Sequence, residues 1–291
     1  MEEMSLRRRD SDRPRGRMRK GMYILPSLFT TANIAAGFFA ILETVRGGNS
    51  AEFIHLDYAA MAIGFAVFFD GLDGRIARMT HTESDFGKEL DSLADVITFG
   101  VAPALLAWMW GFHLLPLALA PELRLKITQL GTIACFAFLM AGASRLARFN
   151  ITTNPQPSNP GRPGKKYFVG MPIPAGAGVI AAIVHFSAGV PIISWETSIS
   201  WITMVVVVAY LMVCTWRFYS FKDIDFRSRH PFRLIILIGI LIASIRYFSG
   251  PVLFGIAVLY MASGVIWRLQ WILRRKTPPA PPPSREASLT S

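Results

Sequence analysis

Four aspartates between residues 70 and 95 have spacings that suit two pairs of metal ligands. Asp70 and Asp73 are three positions apart, and Asp91 and Asp95 are four positions apart. On helices, each pair therefore lies on one face. If two neighbouring helices bring the pairs together, the carboxylates repel one another unless cations neutralise them. Oxygen-only ligands favour hard divalent ions such as Mg²⁺ or Mn²⁺, and four acids suit two such ions.

Small and cationic residues accompany the aspartates. Gly71, Gly74 and Ala77 leave one side of the first helix bare, so a ligand can approach its backbone closely. Gly87 does the same before the second pair, and Arg78 could bind phosphate through its guanidinium group. Any one of these residues alone is more often a helix cap or a membrane anchor. The complete set in a fixed spacing indicates metal-dependent phosphate chemistry.

The residues that flank this cluster are apolar enough to cross a membrane. Of the 291 residues, 52% are hydrophobic and 17% are charged, whereas soluble domains carry about 25% charged residues. The apolar blocks have the length at which a helix spans roughly 30 Å of hydrocarbon. We therefore predict an all-α, polytopic membrane helix bundle with about eight spans. The predicted spans are 24–45, 57–78, 92–112, 127–147, 168–188, 199–217, 232–248 and 251–272.

The predicted bundle has a six-helix core followed by two further helices. We expect a basic N-terminal segment over 1–20, the catalytic membrane core over 21–217, a transmembrane hairpin over 218–276 and a proline-rich tail over 277–291. Pro172 and Pro174 lack backbone N–H donors, so we expect them to begin or kink the fifth helix. Cys135 and Cys214 fall inside spans and suggest buried core residues rather than a disulfide or a metal site.

The distribution of positive charge predicts the orientation of the bundle. The net charge is +11, but all except four lysines and arginines fall in segments that share one side if the N-terminus is cytoplasmic. This asymmetry is typical of membrane topology and makes a nucleic-acid partner unnecessary. We therefore expect both termini and the aspartates at the cytoplasmic face, in the plasma membrane if the host is a prokaryote. The four exceptions are Arg46, Arg124, Lys126 and Arg246.

The aspartate motif resembles the signature of the CDP-alcohol phosphatidyltransferases. The motif is Asp70-x-x-Asp73-Gly74-x-x-Ala77-Arg78, then eight residues, Gly87, three residues, Asp91, three residues and Asp95. The resemblance covers about 20–217 of the chain and matches every position of the signature. Enzymes of this family transfer a phosphatidyl group from a CDP-linked lipid to an alcohol and release CMP.

The resemblance implies a role for each motif residue. Asp70, Asp73 and Asp91 would bind two Mg²⁺ or Mn²⁺ ions, and Asp95 would share in metal binding and act as the general base. The residues that would lie against the CDP moiety are Gly74, Ala77, Arg78 and Gly87. Asn33, in the stretch Pro26–Asn33, would contact the nucleotide or form an interhelical hydrogen bond. A homodimer is also implied.

The flanking segments look like the phosphatidylserine synthase branch of the family. These segments are Ser84–Gly87, Leu90–Asp95, Phe99–Pro103, Ala147–Asn150 and Tyr167–Ala175. The resemblance implies CDP-diacylglycerol and L-serine as substrates, within a bilayer of membrane lipids. By position, the candidates for the acceptor pocket are Ser92, Arg148, Asn150 and Lys166.

Two alternative functions stay open at the level of sequence. The first is the same reaction with glycerol 3-phosphate, inositol phosphate or choline as the acceptor. The second is a cation transporter that conducts ions past intramembrane aspartates. A transporter would place acids near the middle of the membrane on several helices, often in related halves. The aspartates here cluster at one edge on two helices, which favours the enzyme.

Overall fold

The computed structural model describes residues 16–49, 52–80, 85–116, 119–152, 157–158, 167–219 and 231–275. At 16–27, 72–80, 85, 231–235, 237–238 and 274–275 the description is limited to the backbone. The helices are α1 Gly16–Asn49, α2 Ile54–Thr80, α3 Asp85–Asp95, α4 Ala102–Trp108, α5 Pro121–Ile151, α6 Ile173–Phe186, α7 Trp195–Val213 and α8 Pro231–Arg275. Two π-helical turns, Val96–Val101 and Met109–His113, join and extend α3 and α4, so that 85–113 forms one continuous helical rod.

The prediction of an all-α membrane bundle is confirmed. Within the described residues, six helices are long and apolar enough to cross a membrane, and α6 is a shorter apolar helix. The six segments are Leu28–Asn49, Ile54–Gly71, Phe86–His113, Pro121–Ile151, Trp195–Val213 and Gly239–Leu273. The count of eight spans and the side on which the termini lie stay predictions.

The predicted spans 168–188 and 199–217 differ from the structure at one end each. The helix of the first of these spans, α6, begins at Ile173 because Pro172 and Pro174 mark its start. The residues before it, Tyr167–Val169, instead form β1, which pairs antiparallel with β2, Arg217–Tyr219. Strands of three residues are too short to show a periodic pattern, so the sequence does not predict them.

The C-terminal helices meet at a break in the backbone. Helix α8 is interrupted by a non-helical residue, Phe248, with φ −136° and ψ 48°, and Pro251 follows inside the helix. The proline has no N–H to donate to the preceding turn, which explains why the helix is interrupted near it. The break lies at the end of the predicted span 232–248, just before the predicted span 251–272.

The rod 85–113 lies at the centre of the bundle. Many residues of its span are buried, whereas almost all those of the α8 span are half-buried or exposed. Phe99 and Phe112 of the rod and Phe138 of α5 are almost fully buried. Because lipid tails are as apolar as these side chains, close packing rather than exclusion of water holds such helices together. Cys135 and Cys214 are buried free thiols, as predicted.

Polar side chains fasten the helices at the end of the bundle where α1 ends and α2 begins, which we call the far end. His185 Nδ1 lies 2.6 Å from Asp57 Oδ1, and its Nε2 lies 2.8 Å from Ser249 Oγ. This chain of hydrogen bonds links α2, α6 and α8. Nearby, the buried Glu43 pairs with Arg46 and His55, each at 2.6 Å. Both buried carboxylates therefore have partners.

Glycine allows α5 to pack closely against the central rod. A Cβ atom at Gly131 would collide with the ring of Phe112, whereas one at Gly64 of α2 would meet nothing within 4 Å. We expect Gly131→Ala to lower the free energy of unfolding by about 1–3 kcal/mol, because overpacking forces the helices apart. Gly64→Ala is the matched control. Thermal unfolding in detergent micelles checks this prediction, and equal midpoints for both variants would contradict it.

Candidate active site

Three aspartates converge where α2 and α3 approach each other, at what we call the carboxylate end of the bundle. One carboxylate oxygen from each of Asp70, Asp91 and Asp95 lies within 4.8 Å of the other two. Asp70 comes from α2, and the other two come from successive turns of α3. Asp95 is buried, while Asp70 and Asp91 are half-buried. The two helices therefore bring Asp70 of the first predicted pair and both members of the second to one place.

This arrangement fits a divalent cation. Buried polar atoms in proteins nearly always have hydrogen-bond partners. Among the described residues, however, the buried Oδ1 of Asp91 has none. Carboxylates this close together repel unless a positive charge lies between them, and an all-oxygen ligand set suits Mg²⁺ or Mn²⁺. Asp73 lies one helical turn beyond Asp70, but its side chain lies outside the described atoms, so its role as a ligand stays a prediction.

Asn33 lies beside the carboxylate end through contact between α1 and the central rod. Thr98 Oγ1, one turn beyond Asp95, donates a hydrogen bond of 3.0 Å to the backbone carbonyl of Asn33. A Cβ atom on Gly37 would collide with Thr98, so the two helices are in close contact there. The Asn33 side chain is 3% exposed. Within the described part of the chain, its Oδ1 has no hydrogen-bond partner, so this oxygen could accept one from a ligand.

A π-helical turn begins directly after Asp95. The turn covers Val96–Val101, and Thr98, Phe99 and Gly100 within it are buried. Turns of this type accommodate an extra residue and occur often at functional sites. No residue pattern in the sequence predicted it. The turn places Asp95 at the boundary between two helical geometries, one turn before Thr98, which contacts Asn33.

The other residues predicted to contact CDP are only partly described. Gly87 lies one turn before Asp91 in α3 and is half-buried. Gly74, Ala77 and Arg78 lie in the last turns of α2, and their side chains fall outside the described atoms. Their contacts with a nucleotide therefore stay a prediction.

The structure brings two of the acceptor-pocket candidates together. Asn150 Nδ2 of α5 donates a hydrogen bond of 2.9 Å to Ser92 Oγ of α3, whose hydroxyl donates to the Lys88 carbonyl at 3.0 Å. Arg148 donates instead toward the carbonyl of Val213 at the end of α7, at 3.4 Å. Lys166 lies outside the described residues.

Arg145 is a cationic residue of the site that the sequence analysis did not select. It is 8% exposed, and its Nε has no hydrogen-bond partner among the residues that the structure describes. Its guanidinium lies within electrostatic range of Asp95, and its Cζ is 6.0 Å from the centre of the Phe168 ring. Burying a guanidinium without a full set of partners is costly. Such a group is suited to bind an anion.

A comparison with known proteins shows the family to which the chain belongs. The family model for CDP-alcohol phosphatidyltransferases matches residues 23–209. The chain belongs to this family. It is therefore a membrane-embedded phosphotransferase, and its carboxylate end carries the family's acidic motif. The family is generally dependent on divalent metals.

Similar relatives share a single printed name, CDP-diacylglycerol–serine O-phosphatidyltransferase. The Helicobacter pylori protein is 32% identical over 246 residues, which are 84% of this chain and 91% of the relative. The Bacillus subtilis protein is 30% identical over 201 residues, 69% of this chain and 93% of the relative. The Mycobacterium leprae protein is 36% identical over 200 residues, covering 66% of this chain and 58% of the relative.

The sequence contains a helical pattern from which Arg145 could have been selected. On α5, the buried residues Cys135, Phe138, Ala141 and Gly142 recur at helical spacing, and Arg145 continues the same stripe. An arginine on the apolar, small-residue face of a membrane helix is a candidate for function. The motif Ala147–Asn150 contains Arg148, three residues away, and therefore indicates that arginine instead.

The carboxylate cluster predicts a measurable metal site. We expect Mn²⁺ to raise the thermal unfolding midpoint of the detergent-solubilised enzyme, because a ligand that binds the folded state stabilises it. Asp91→Asn should abolish most of this increase, since it replaces a charged ligand with a neutral amide. The exposed Glu89, two residues away on α3, supplies the control Glu89→Gln, which should retain the increase. The same Mn²⁺ response in Asp91→Asn and the wild type would argue against the site.

Proposed function

We propose that this enzyme transfers the phosphatidyl group of CDP-diacylglycerol to the hydroxyl of L-serine, forming phosphatidylserine and CMP. The observation that carries the proposal is the convergence of Asp70, Asp91 and Asp95 beside the buried cation Arg145. The choice of serine is supported by relatives of that activity that align along most of both chains. Membrane helices on all sides suit a lipid substrate that enters from the bilayer.

We propose that Asp70, Asp73, Asp91 and Asp95 hold two divalent cations, Mg²⁺ or Mn²⁺. When bound there, such ions would neutralise the diphosphate and make its phosphorus more electrophilic. The chain's own contribution is to hold the carboxylates at one depth on two helices. Gly74, Ala77, Arg78 and Gly87 would let the CDP moiety approach the backbone, and Asn33 would contact the nucleotide.

Asp95 is the proposed general base. It is the most buried of the three described carboxylates, at 9% exposed, so a substrate hydroxyl beside it would be shielded from bulk water. As the serine oxygen bonds to the phosphorus of the phosphatidyl group, Asp95 would accept the hydroxyl proton. The bond from that phosphorus to the bridging oxygen then breaks, and CMP departs with its electron pair. The proton subsequently passes from Asp95 to solvent.

Arg145 is the proposed partner of the acceptor carboxylate. A carboxylate distinguishes serine from ethanolamine and choline, and a guanidinium can bind it through two parallel hydrogen bonds. The position of Arg145 near Asp95 would hold the serine hydroxyl within reach of the base. The hydrogen-bonded pair Ser92 and Asn150, on neighbouring helices, could extend the pocket. Arg148 and Lys166 stay candidates by position.

We propose that the carboxylate end faces the cytoplasm. Arg145 and Arg148 lie near the end of α5 on this side, and β2 carries Arg217 there as well. Arg46 and Arg124 lie at the far end instead. Such an imbalance of positive charge favours a cytoplasmic carboxylate end. Residence in a prokaryotic plasma membrane and assembly as a homodimer are further predictions of the family resemblance.

A direct assay of acceptors tests the proposed reaction. Purified enzyme with CDP-diacylglycerol and a divalent metal should release CMP when L-serine is supplied. The comparison acceptors are glycerol 3-phosphate, inositol phosphate and choline, and each should give little product. Reaction with one of these alcohols but not with serine would overturn the choice of acceptor.

The role of Asp95 predicts a loss in the chemical step. Asp95→Asn should lower kcat by about 10²–10⁴-fold, the usual contribution of a general base. The KM for CDP-diacylglycerol should change much less. Steady-state CMP release checks both constants, with Glu89→Gln as the variant that should behave like wild type. Near-normal kcat in Asp95→Asn would exclude it as the base.

The role of Arg145 predicts a loss of acceptor recognition. Arg145→Gln should raise the KM for serine by about 10–100-fold, the range for losing hydrogen bonds to a charged group. It should also reduce the preference for serine over ethanolamine, which lacks the carboxylate. Arg124→Gln, at the opposite end of α5, is the matched control. An unchanged preference would refute a role for Arg145 in binding the carboxylate.

A further inference from the structure

Helix α8 lies beyond the residues that the family model matches, which end at 209. Almost all residues of its membrane span are half-buried or exposed. Part of its length nevertheless packs against the two-stranded sheet at the carboxylate end. The residues responsible are Tyr260, Gly264 and Trp267, which recur at helical spacing and so share one face. This face points to a function for the helix.

Two residues of this face pack against strand β2. The Tyr260 hydroxyl donates a hydrogen bond of 3.2 Å to the carbonyl of Tyr219. The Tyr260 ring centre lies 5.9 Å from that of Phe218. One turn further along the helix, a Cβ atom on Gly264 would collide with the Phe218 ring. Only glycine therefore lets the helix approach the sheet this closely.

Trp267 contacts the other side chains of the sheet. Its ring centre lies 6.2 Å from those of both Tyr167 and Tyr219. The Arg217 guanidinium lies 4.7 Å from the Trp267 ring and 4.9 Å from the Tyr167 ring. Cation–π contacts at such distances are attractive. Helix α8 therefore holds both strands at once.

The sheet and α8 together enclose Arg145. Phe168, paired with Phe218 across the two strands, lies against the guanidinium of Arg145. Tyr260 and Gly264 of α8 in turn pack against Phe218. The helix therefore reaches Arg145 through the sheet, by way of Phe218 and Phe168.

We propose that α8 completes the acceptor pocket, with Tyr260 as a positioning residue that orients Arg145 toward the acceptor carboxylate. This inference rests on the proposed function, because it concerns the same pocket. The Tyr260 O–H donates to the Tyr219 carbonyl and so holds β2, whose Phe218 pairs with Phe168 beside Arg145. Tyr260 acts on Arg145 through the sheet and needs no contact with the reacting atoms.

Removal of one hydroxyl group tests the role of Tyr260. Tyr260→Phe should raise the KM for serine about tenfold, because losing the hydrogen bond to Tyr219 loosens the sheet that holds Arg145. The kcat at saturating serine and the KM for CDP-diacylglycerol should stay near wild type. The preference for serine over ethanolamine should fall. Tyr247→Phe, at a position on α8 that is 78% exposed, should leave every constant unchanged.

A second pair of variants tests the position of the helix itself. Gly264→Ala should push α8 away from Phe218 and raise the KM for serine in the same direction as Tyr260→Phe. Gly255→Ala is the matched control on the same helix, because a Cβ atom there meets nothing within 4 Å. Thermal unfolding and the KM for CDP-diacylglycerol show whether each variant retains its fold.

The outcomes separate this inference from the proposed function. If wild-type enzyme releases no CMP with serine, the proposed function fails, and the inference fails with it. If wild type uses serine but Tyr260→Phe keeps the wild-type KM and selectivity, only the inference is overturned. An equal rise in the KM values for serine and CDP-diacylglycerol would also overturn it, since that result indicates a general structural role.

Discussion

Repulsion among carboxylates held within 4.8 Å of one another is the constraint around which this bundle is organised. Two membrane helices must keep Asp70, Asp91 and Asp95 together, although the unneutralised charges favour separation. Packing of the central rod supplies the restraint. Its buried aromatic residues and close contact with α1 leave the start of the rod little freedom to move. The carboxylate cluster is therefore held in place at the cost of local stability.

The same end of the bundle carries two kinds of charge with separate tasks. The carboxylates suit metal ions and the diphosphate that such ions bind, whereas Arg145 is buried on the side of α5 and the sheet. Separate placement keeps the guanidinium from simply neutralising the acids. A site of this kind can hold an anionic lipid nucleotide and a zwitterionic acceptor at once.

Much of this site follows from local sequence, and the remainder depends on long-range packing. The spacing of Asp91 and Asp95 places them on one face of any helix, so their convergence with Asp70 required only two adjacent helices. The surroundings of Arg145 depend on which helix face meets β1 and α8, and no local pattern specifies that. The π-helical turn after Asp95 and the three-residue strands likewise have no periodic signature. The interruption at Phe248 lies three residues before Pro251. The position of that single proline therefore predicts the interruption to within a few residues.

The hydrogen-bonded chain from Asp57 through His185 to Ser249 restricts where the bundle can open. It joins three helices at the far end, about 20 Å along α2 from Asp70. Helices that are joined by hydrogen bonds at one end cannot separate at that end. Any separation of α2, α6 and α8 is therefore smallest at the far end and can increase only toward the carboxylate end. The far end acts as the pivot.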